Sequence, residues 1–317
     1  MRALVAATTL GLLCAPALAD EPRPQPAPAA TAPIVETSRV EVQPAGKTFT
    51  KLRIENALGN VRIVGHDGKS IRIETVKHAP DDDTLDRLRV SLVPDADGTV
   101  RIMTAADTSR EAKPQPRQSV AIDLVIHAPR DARIDATVGS GKLEVFDMDG
   151  GGELDTASGA ISVRNVSGEL YTHSVSGHMQ LTQVFGSLDA ATVSSDLELD
   201  TINGQKLVAS ADQGKIAGRR VRARDVELTT TSGNIVLEGE ASLKGHIVVS
   251  SLRGDVDVKL RRRGGVIVRG RGTKIDIGSL AKLQQSGWTE MHIGMMQEPA
   301  LVELRSHLGS VRFTIIQ

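Results

Sequence analysis

Ser-Gly and related pairs recur through the second half of the chain, at Ser140-Gly141, Ser158-Gly159, Ser176-Gly177, Ser195-Asp196, Gln213-Gly214, Ser232-Gly233 and Arg253-Gly254. A recurring serine invites nucleophilic chemistry, which needs a Gly-x-Ser-x-Gly elbow or a His and a carboxylate at constant offset. Neither accompanies the series. Corners explain the pairs better, because Gly permits φ > 0 while a small Ser satisfies backbone groups and bonds to its copies above and below. Carboxylates aligned on neighbouring strands would suit glycoside hydrolysis. Two outward rows are expected, Glu144, Ser162, Gln180, Glu198, Ala217, Val236 and Asp155, Tyr171, Asp189, Val208, Glu227, Val248. Neither sets two acids on adjacent repeats, and Asp155 and Asp189 stand about 9–10 Å apart, wide for a catalytic pair. No catalytic residue is assigned.

Metal and cofactor chemistry finds no better footing. Asp147-Met148-Asp149-Gly150 raises calcium, yet the Gly-Gly-x-Gly-x-Asp pattern of calcium-binding repeats is absent. Of the eight His, His173, His178 and His246 share a side, but at no metal-motif spacing. Neither a metal site nor a cofactor is expected. Cationic groups are the stronger signal. Arg219, Arg220, Arg222 and Arg224 are read as one loop and Arg261, Arg262 and Arg263 as another, with Arg269, Arg271 and Lys274 following. Both loops follow the same wall of their repeat, which puts them on one edge about 10 Å apart. The edge is the candidate site for an anionic ligand, since the Arg fork fits phosphate and carboxylate. Glu238 and Glu240 lie between the clusters and offer the competing reading of a salt-bridge ladder.

These residues need a scaffold, and composition restricts it. The 38 Lys+Arg nearly balance 39 Asp+Glu across 317 residues, which argues against nucleic acid as a partner. Aromatics make up 2% of the chain, too few for a stacking platform or an aromatic-lined sugar cleft. The core must come from Val, Ile and Leu, and with 30 Gly between them these favour many short strands.

The first 19 residues read as a secretory leader: Arg2, an apolar stretch from Ala3 to Leu13, and Ala17-Leu18-Ala19 as a small-x-small cleavage site. Cys14 is the sole cysteine, and Leu13 before it disfavours lipid attachment there. Cleavage would leave no thiol and no disulfide. No later stretch is long and apolar enough to span a bilayer. Residues 20–35 are a Pro/Ala-rich spacer, expected to be disordered. Residues 36–135 form a β-rich region of alternating segments, with one short helix expected within Pro80 to Arg89 behind an acidic first turn.

Internal repetition decides the fold class. The Gly-or-Asp positions fall at 141, 159, 177, 196, 214, 233 and 254, and a second strand between them is anchored at Leu154, Leu170, Leu188, Leu207, Val226 and Ile247. An 18–21-residue unit of two short strands cannot bury its own apolar face, so successive units must share one core. The expectation is an all-β, single-stranded, parallel β-helix-like β-solenoid over residues 136–278, with residues 279–317 forming irregular coils and a cap. Inward pairs are Leu143/Val145, Ile161/Val163, Met179/Leu181, Leu197/Leu199, Ile235/Leu237 and Val256/Val258, because side chains two apart share a face.

The chain resembles a bacterial putative-adhesin β-solenoid family, a domain of unknown function related to autotransporter adhesin head domains. Leu58-Gly59-Asn60-Val61-Arg62-Ile63-Val64-Gly65-His66-Asp67, Val125-Ile126-His127-Ala128-Pro129 and the Ser-Gly-x-Ile-x-Val units carry the resemblance, over about residues 48–260. It implies an exported, envelope-associated domain with no catalytic residues to transfer. The expected function is a non-enzymatic adhesin, binding or scaffold module of the periplasm or cell surface, its partner an anionic envelope glycan or another envelope protein. The alternative is a polysaccharide-degrading β-helix, lyase or hydrolase. Ligand identity, coil handedness and oligomeric state are not encoded in these patterns.

Overall fold

Apolar residues at every second position form two alternating series of strands, and each strand hydrogen-bonds to the copy one repeat away. A computed structural model describes residues 33–43, 48–106, 120–284 and 286–316; the segment read as a leader (1–19) and residues 20–32 of the segment read as a spacer lie outside the described residues. In the first series Leu143–Met148, Ile161–Ser167 and Met179–Phe185 pair parallel and in register, so Leu143, Ile161, Met179, Leu197, Ile216, Ile235 and Val256 make one row. The second series aligns Ile134, Gly152, Leu170, Leu188, Leu207, Val226 and Ile247 in the same way. All the expected inward pairs are buried, and both series feed one hydrophobic cluster. Burying each such Leu or Ile contributes about 1.5–3 kcal/mol before entropy is subtracted.

The 25 strands among the described residues belong to one sheet of mixed parallel and antiparallel pairing that does not close into a barrel. Ile34–Val42 is already a strand, so extended pairing begins inside the segment read as spacer. The short helix is present as Asp82–Leu85, capped by Asp81, whose carboxylate accepts the Thr84 N–H at 2.7 Å.

Both ends of the array depart from simple succession. Lys51–Leu58 pairs parallel with Arg133–Ser140 on one side and Thr99–Ala106 on the other, so the earlier strand lies inside the later one. At the other end Ala300–Ser306 is inserted between His246–Ser251 and Val266–Arg271, and Ser310–Ile315 between Val256–Arg262 and Lys274–Asp276. Antiparallel strands then cover the outermost members: Leu88–Pro94 lies on Thr99–Ala106, Ile71–Ala79 on Ala121–Pro129, and Thr289–Ile293 on Val266–Arg271. No helix among the described residues is long and apolar enough to cross a membrane.

The Ser-Gly corners owe their glycines mainly to stacking. A Cβ on Gly159 would stand 1.8 Å from the carbonyl oxygen of Gly141, and one on Gly233 1.9 Å from that of Gly214. Ser195, rather than Asp196, occupies the glycine row, since Gly214 stacks on the Ser195 carbonyl. The corner backbone is served chiefly by hydroxyls three places ahead of the glycine: Ser251 Oγ donates to Gly233 O and accepts the Gly254 N–H, and Ser306 Oγ does the same with Gly254 O and the Gly309 N–H. Serines just before the glycine row contribute less: Ser176 and Ser194, the latter preceding Ser195, donate at 3.4 and 3.3 Å to carbonyls of the adjacent repeat.

Candidate functional site

A second corner, four residues after each first-series inward row begins, opens the outer surface. Asp147, Asn165, Gln183, Thr201 and Arg220 hold φ of 58°, 56°, 55°, 58° and 51°, a left-handed conformation that costs a non-glycine residue about 1 kcal/mol or more. That residue breaks the alternation, so the next inward residues are Met148, Val166, Val184, Ile202 and Val221, all buried. Two consecutive outward residues are thereby splayed at each repeat, and a trough follows them along the array.

Its first part, roughly 600 Å³ and open to solvent, is lined by Arg62, Val64, Phe146, Asp147, Arg164, Asn165 and Gln183. Its continuation, roughly 380 Å³, adds Ser162, Gln180, Thr182, Thr201 and Arg220. Arg62 lies 5.4 Å over the Phe146 ring while its Nε is 2.8 Å from Glu144 Oε2. Burial pulls the Glu144 carboxyl upward, but Lys142 and Arg62 together hold it below the usual range. Asn165 Nδ2 donates to Asp147 Oδ1 at 2.6 Å. Arg164 is exposed and has no partner among the described residues. Of the arginines lining the trough, Arg62 and Arg220 are engaged by Glu144 and Asp200, and Arg164 is the one left with its fork unpaired, beside side-chain amides and one aromatic face.

Of the seven arginines of the expected edge, Arg220 lines this trough, and the seven lie on strands more than loops. Arg219, Arg220, Arg222 and Arg224 lie within the continuous strand Ile216–Ser232, and Arg261 and Arg262 end the strand Val256–Arg262. The loop assignment for the first cluster is therefore corrected: the chain stays in the ladder through the left-handed residue Arg220. Between the clusters stands Glu240, whose side chain is only 15% exposed; Arg222 approaches it at 3.6 Å and Arg263 pairs with it directly. Arg220 reaches Asp200 and donates to Thr201 Oγ1 at 2.9 Å. Arg224 pairs with Asp225 at 3.3 Å, and Arg262 Nη1 donates to the Gly264 carbonyl at 3.3 Å. Arg219 and Arg261 have no partner among the described residues, and Arg219 borders a smaller depression with Gln180, Glu198 and Asp200.

One expected row is out of alignment. Leu154 lies opposite Thr172, and Gly152 is the residue opposite Leu170, so Asp155 aligns with His173, while Glu153 aligns with Tyr171 and, on the other side, with Asp135. Asp135 and Glu153 are thus acids on adjacent strands, an arrangement the expected rows lack. Asp135 is engaged by Lys51 and lies 3.7 Å from Arg133 Nε. His173 and His178 stand 3.8 Å from Asp155 and Glu198. Among the described residues no group of three His, Cys, Asp or Glu is placed to hold a metal ion.

No protein-family model matches the chain, and no curated protein matches it. Several solved structures are similar over most of its length. A putative adhesin from Bacteroides fragilis NCTC 9343 is 15% identical with a TM-score of 0.42, covering 89% of this chain and 97% of that one. A putative cell adhesion protein from Clostridium sporogenes ATCC 15579 is 11% identical with a TM-score of 0.28, covering 90% of this chain and 100% of that one. A putative lipid binding protein from Parabacteroides distasonis ATCC 8503 is 11% identical with a TM-score of 0.35, covering 89% and 97%. At such identities and TM-scores, neither ligand nor activity carries across.

Proposed function

We propose that the chain is an exported, non-enzymatic β-solenoid of the cell envelope, an adhesin-like binding or scaffold module whose trough takes acidic envelope glycan. The leader-like N-terminus supports export, and the parallel, in-register rows from residue 133 to 262 support the solenoid reading. One observation carries the ligand class: the open trough sets Arg62, Arg164 and Arg220 at successive stations along its length with Asn165, Gln180 and Gln183 between them. Arg219 and Arg261, which have no partner among the described residues, add cations on the same series of strands. Recognition is by area and repeated charge, so affinity per contact is modest and salt-sensitive.

The test compares the wild-type chain with a triple variant Arg62→Ser, Arg164→Ser, Arg219→Ser for binding to immobilised acidic polysaccharide at low and moderate salt. The reading expects several-fold weaker binding and a flatter salt dependence in the variant; equal binding would discard it. The alternative, a glycan-degrading enzyme, draws on the adjacent acids Asp135 and Glu153. New reducing or unsaturated ends, lost in Glu153→Gln, would establish that alternative and overturn the non-enzymatic reading.

A further inference from the structure

A second concavity lies on the other series of strands, near the C-terminal end. Thr229, Ser250, Arg305 and Arg271 stand opposite one another in a single row across four neighbouring strands. Two places further on, Thr231, Leu252, His307 and Thr273 form the opposite bank, enclosing roughly 670 Å³ of open space. The floor residues Thr230, Ser251 and Ser306 turn inward and spend their hydroxyls on the carbonyls of Gly214, Gly233 and Gly254. On the banks, the hydroxyls of Thr229, Thr231 and Ser250 have no partner among the described residues. No Asp or Glu lines the space.

The charge arrangement is what needs a cause. Like charges directly opposite on neighbouring strands destabilise a sheet. Nearby rows alternate sign, Arg269 facing both Glu303 and Glu290 and Asp257 facing Arg312. Where cations do face each other at the other end of the array, each has a carboxylate: Arg53, opposite Arg101, lies 3.3 Å from Glu55, Arg101 2.9 Å from Asp95, and Lys51, opposite Arg133, shares Asp135 with it. Arg271 instead faces Arg305, about one strand spacing of 4.8 Å away. Arg305 has outlets in Glu303 at 3.1 Å and the Trp288 ring at 4.9 Å. Arg271 is exposed and has no partner among the described residues. Paired guanidinium forks flanked by free hydroxyls are the donor set that a tetrahedral oxyanion accepts, with the anion's charge cancelling the repulsion.

We propose that this concavity binds a phosphate or sulfate group through Arg271 and Arg305, with Thr229, Thr231 and Ser250 as hydroxyl donors. The site stands on a different series of strands from the trough and does not depend on it.

The experiment titrates inorganic phosphate, sulfate, and a sulfated or phosphorylated oligosaccharide into the full chain by calorimetry, with acetate and chloride as controls. Saturable binding of a tetrahedral oxyanion is expected in the wild type and in Arg164→Ser. In Arg271→Ala it should weaken roughly ten- to hundredfold, the scale of one or two charge-assisted hydrogen bonds. Without ligand at low salt, Arg271→Ala should melt at the same temperature as wild type or higher, because repulsion is relieved; a lower melting temperature would make Arg271 a structural residue and overturn the site. Binding of the ester alone supports the site and identifies a substituted glycan as its source, whereas binding of the inorganic ions supports a free-anion source. Equal binding by Arg271→Ala, equal response to acetate and chloride, or no saturation by any of the three probes overturns it.

Discussion

Gly159→Ala isolates the stacking argument from ordinary glycine energetics. Gly159 has no left-handed φ, so its backbone is one that alanine adopts, and the usual effect of Gly→Ala at a compatible position is stabilisation by about 0.4–1 kcal/mol. Here the added Cβ would lie 1.8 Å from the Gly141 oxygen and 2.8 Å from its carbonyl carbon, both backbone atoms held in the ladder. Relief requires the two corners to separate by about 1 Å, which strains the bonds that join them, Gly141 N–H to Ser158 O at 3.3 Å and Leu143 N–H to Ala160 O at 2.9 Å. Overpacking costs about 1–3 kcal/mol and each of the two weakened hydrogen bonds about 1 kcal/mol, so after the usual Gly→Ala gain is subtracted the net expectation is a loss of about 2–4.5 kcal/mol. For a chain of this size that lowers the thermal midpoint by roughly 4–18 °C. Urea and thermal unfolding followed by circular dichroism measure it. Gly287→Ala is the control: its φ is +78° and an added Cβ would meet nothing within 4 Å, so only the backbone cost of about 1 kcal/mol applies. A Gly159→Ala variant as stable as wild type, or more so, would refute close corner stacking.

Three further outcomes follow from individual contacts. Glu240→Ala releases Arg222 and Arg263, and because the pairs are exposed at the arginine end, stability should change by no more than about 1 kcal/mol while binding to acidic polysaccharide strengthens; urea titration and the immobilised-glycan assay read the two effects. Ser306→Ala removes the partner of both Gly254 O and the Gly309 N–H in a buried corner and should cost about 1–3 kcal/mol in urea, with the last strand losing amide protection first. Asp255 accepts both the N–H and the hydroxyl of Ser310, which holds its carboxyl below the usual range. The folded pKa being depressed, its contribution is present above the ordinary carboxylate pKa and is lost as pH falls through the folded value; amide exchange of Ser310–Ile315 should therefore quicken in acid, and Asp255→Asn, which keeps an acceptor oxygen, should lessen that response.

Much of the packing was legible in the sequence because burial repeats. Leu143/Val145 through Val256/Val258 are inward residues whose period of two within a strand and 18–21 between strands can be counted directly. The second corner is harder to see, although its trace is present: the inward positions 143, 145 and 148 recur as 161, 163, 166 and as 179, 181, 184, a skipped place where the left-handed residue sits. Asp147, Asn165, Gln183, Thr201 and Arg220 share no side-chain type, so nothing in composition marks the row that shapes the trough. Leu154 misleads in the second series because Gly152, lacking a side chain, takes the place that Leu170 and Leu188 fill, and that two-residue slip hides the Asp135–Glu153 neighbours. The inserted ends are illegible for a different reason. A parallel strand carries no mark of which copy it will neighbour, and Ala300–Ser306 would satisfy the same apolar row on either side of Val266–Arg271.

That ambiguity bears on how one register is selected. Apolar alternation alone fixes which face is buried and tolerates any shift by two residues, since every inward side chain stays inward. The corners do not tolerate it. A two-residue slip would set the Cβ of Ala157 or Ile161 where only Gly159 fits against the Gly141 oxygen, and would leave the hydroxyls of Thr230, Ser251 and Ser306 away from the glycine carbonyls they serve. A ladder of Asx side chains adds the same constraint from outside: Asn60, Asp196, Asn234 and Asp255 each accept the backbone N–H at the equivalent place in the neighbouring strand, from Lys142, Lys215, Asp255 and Ser310. Hydrophobic burial thus supplies the stabilisation while glycine contacts and polar ladders choose the alignment. The outer surface inherits that choice, because Arg62, Arg164 and Arg220 line the trough, and Arg271 meets Arg305, only in the register the corners permit.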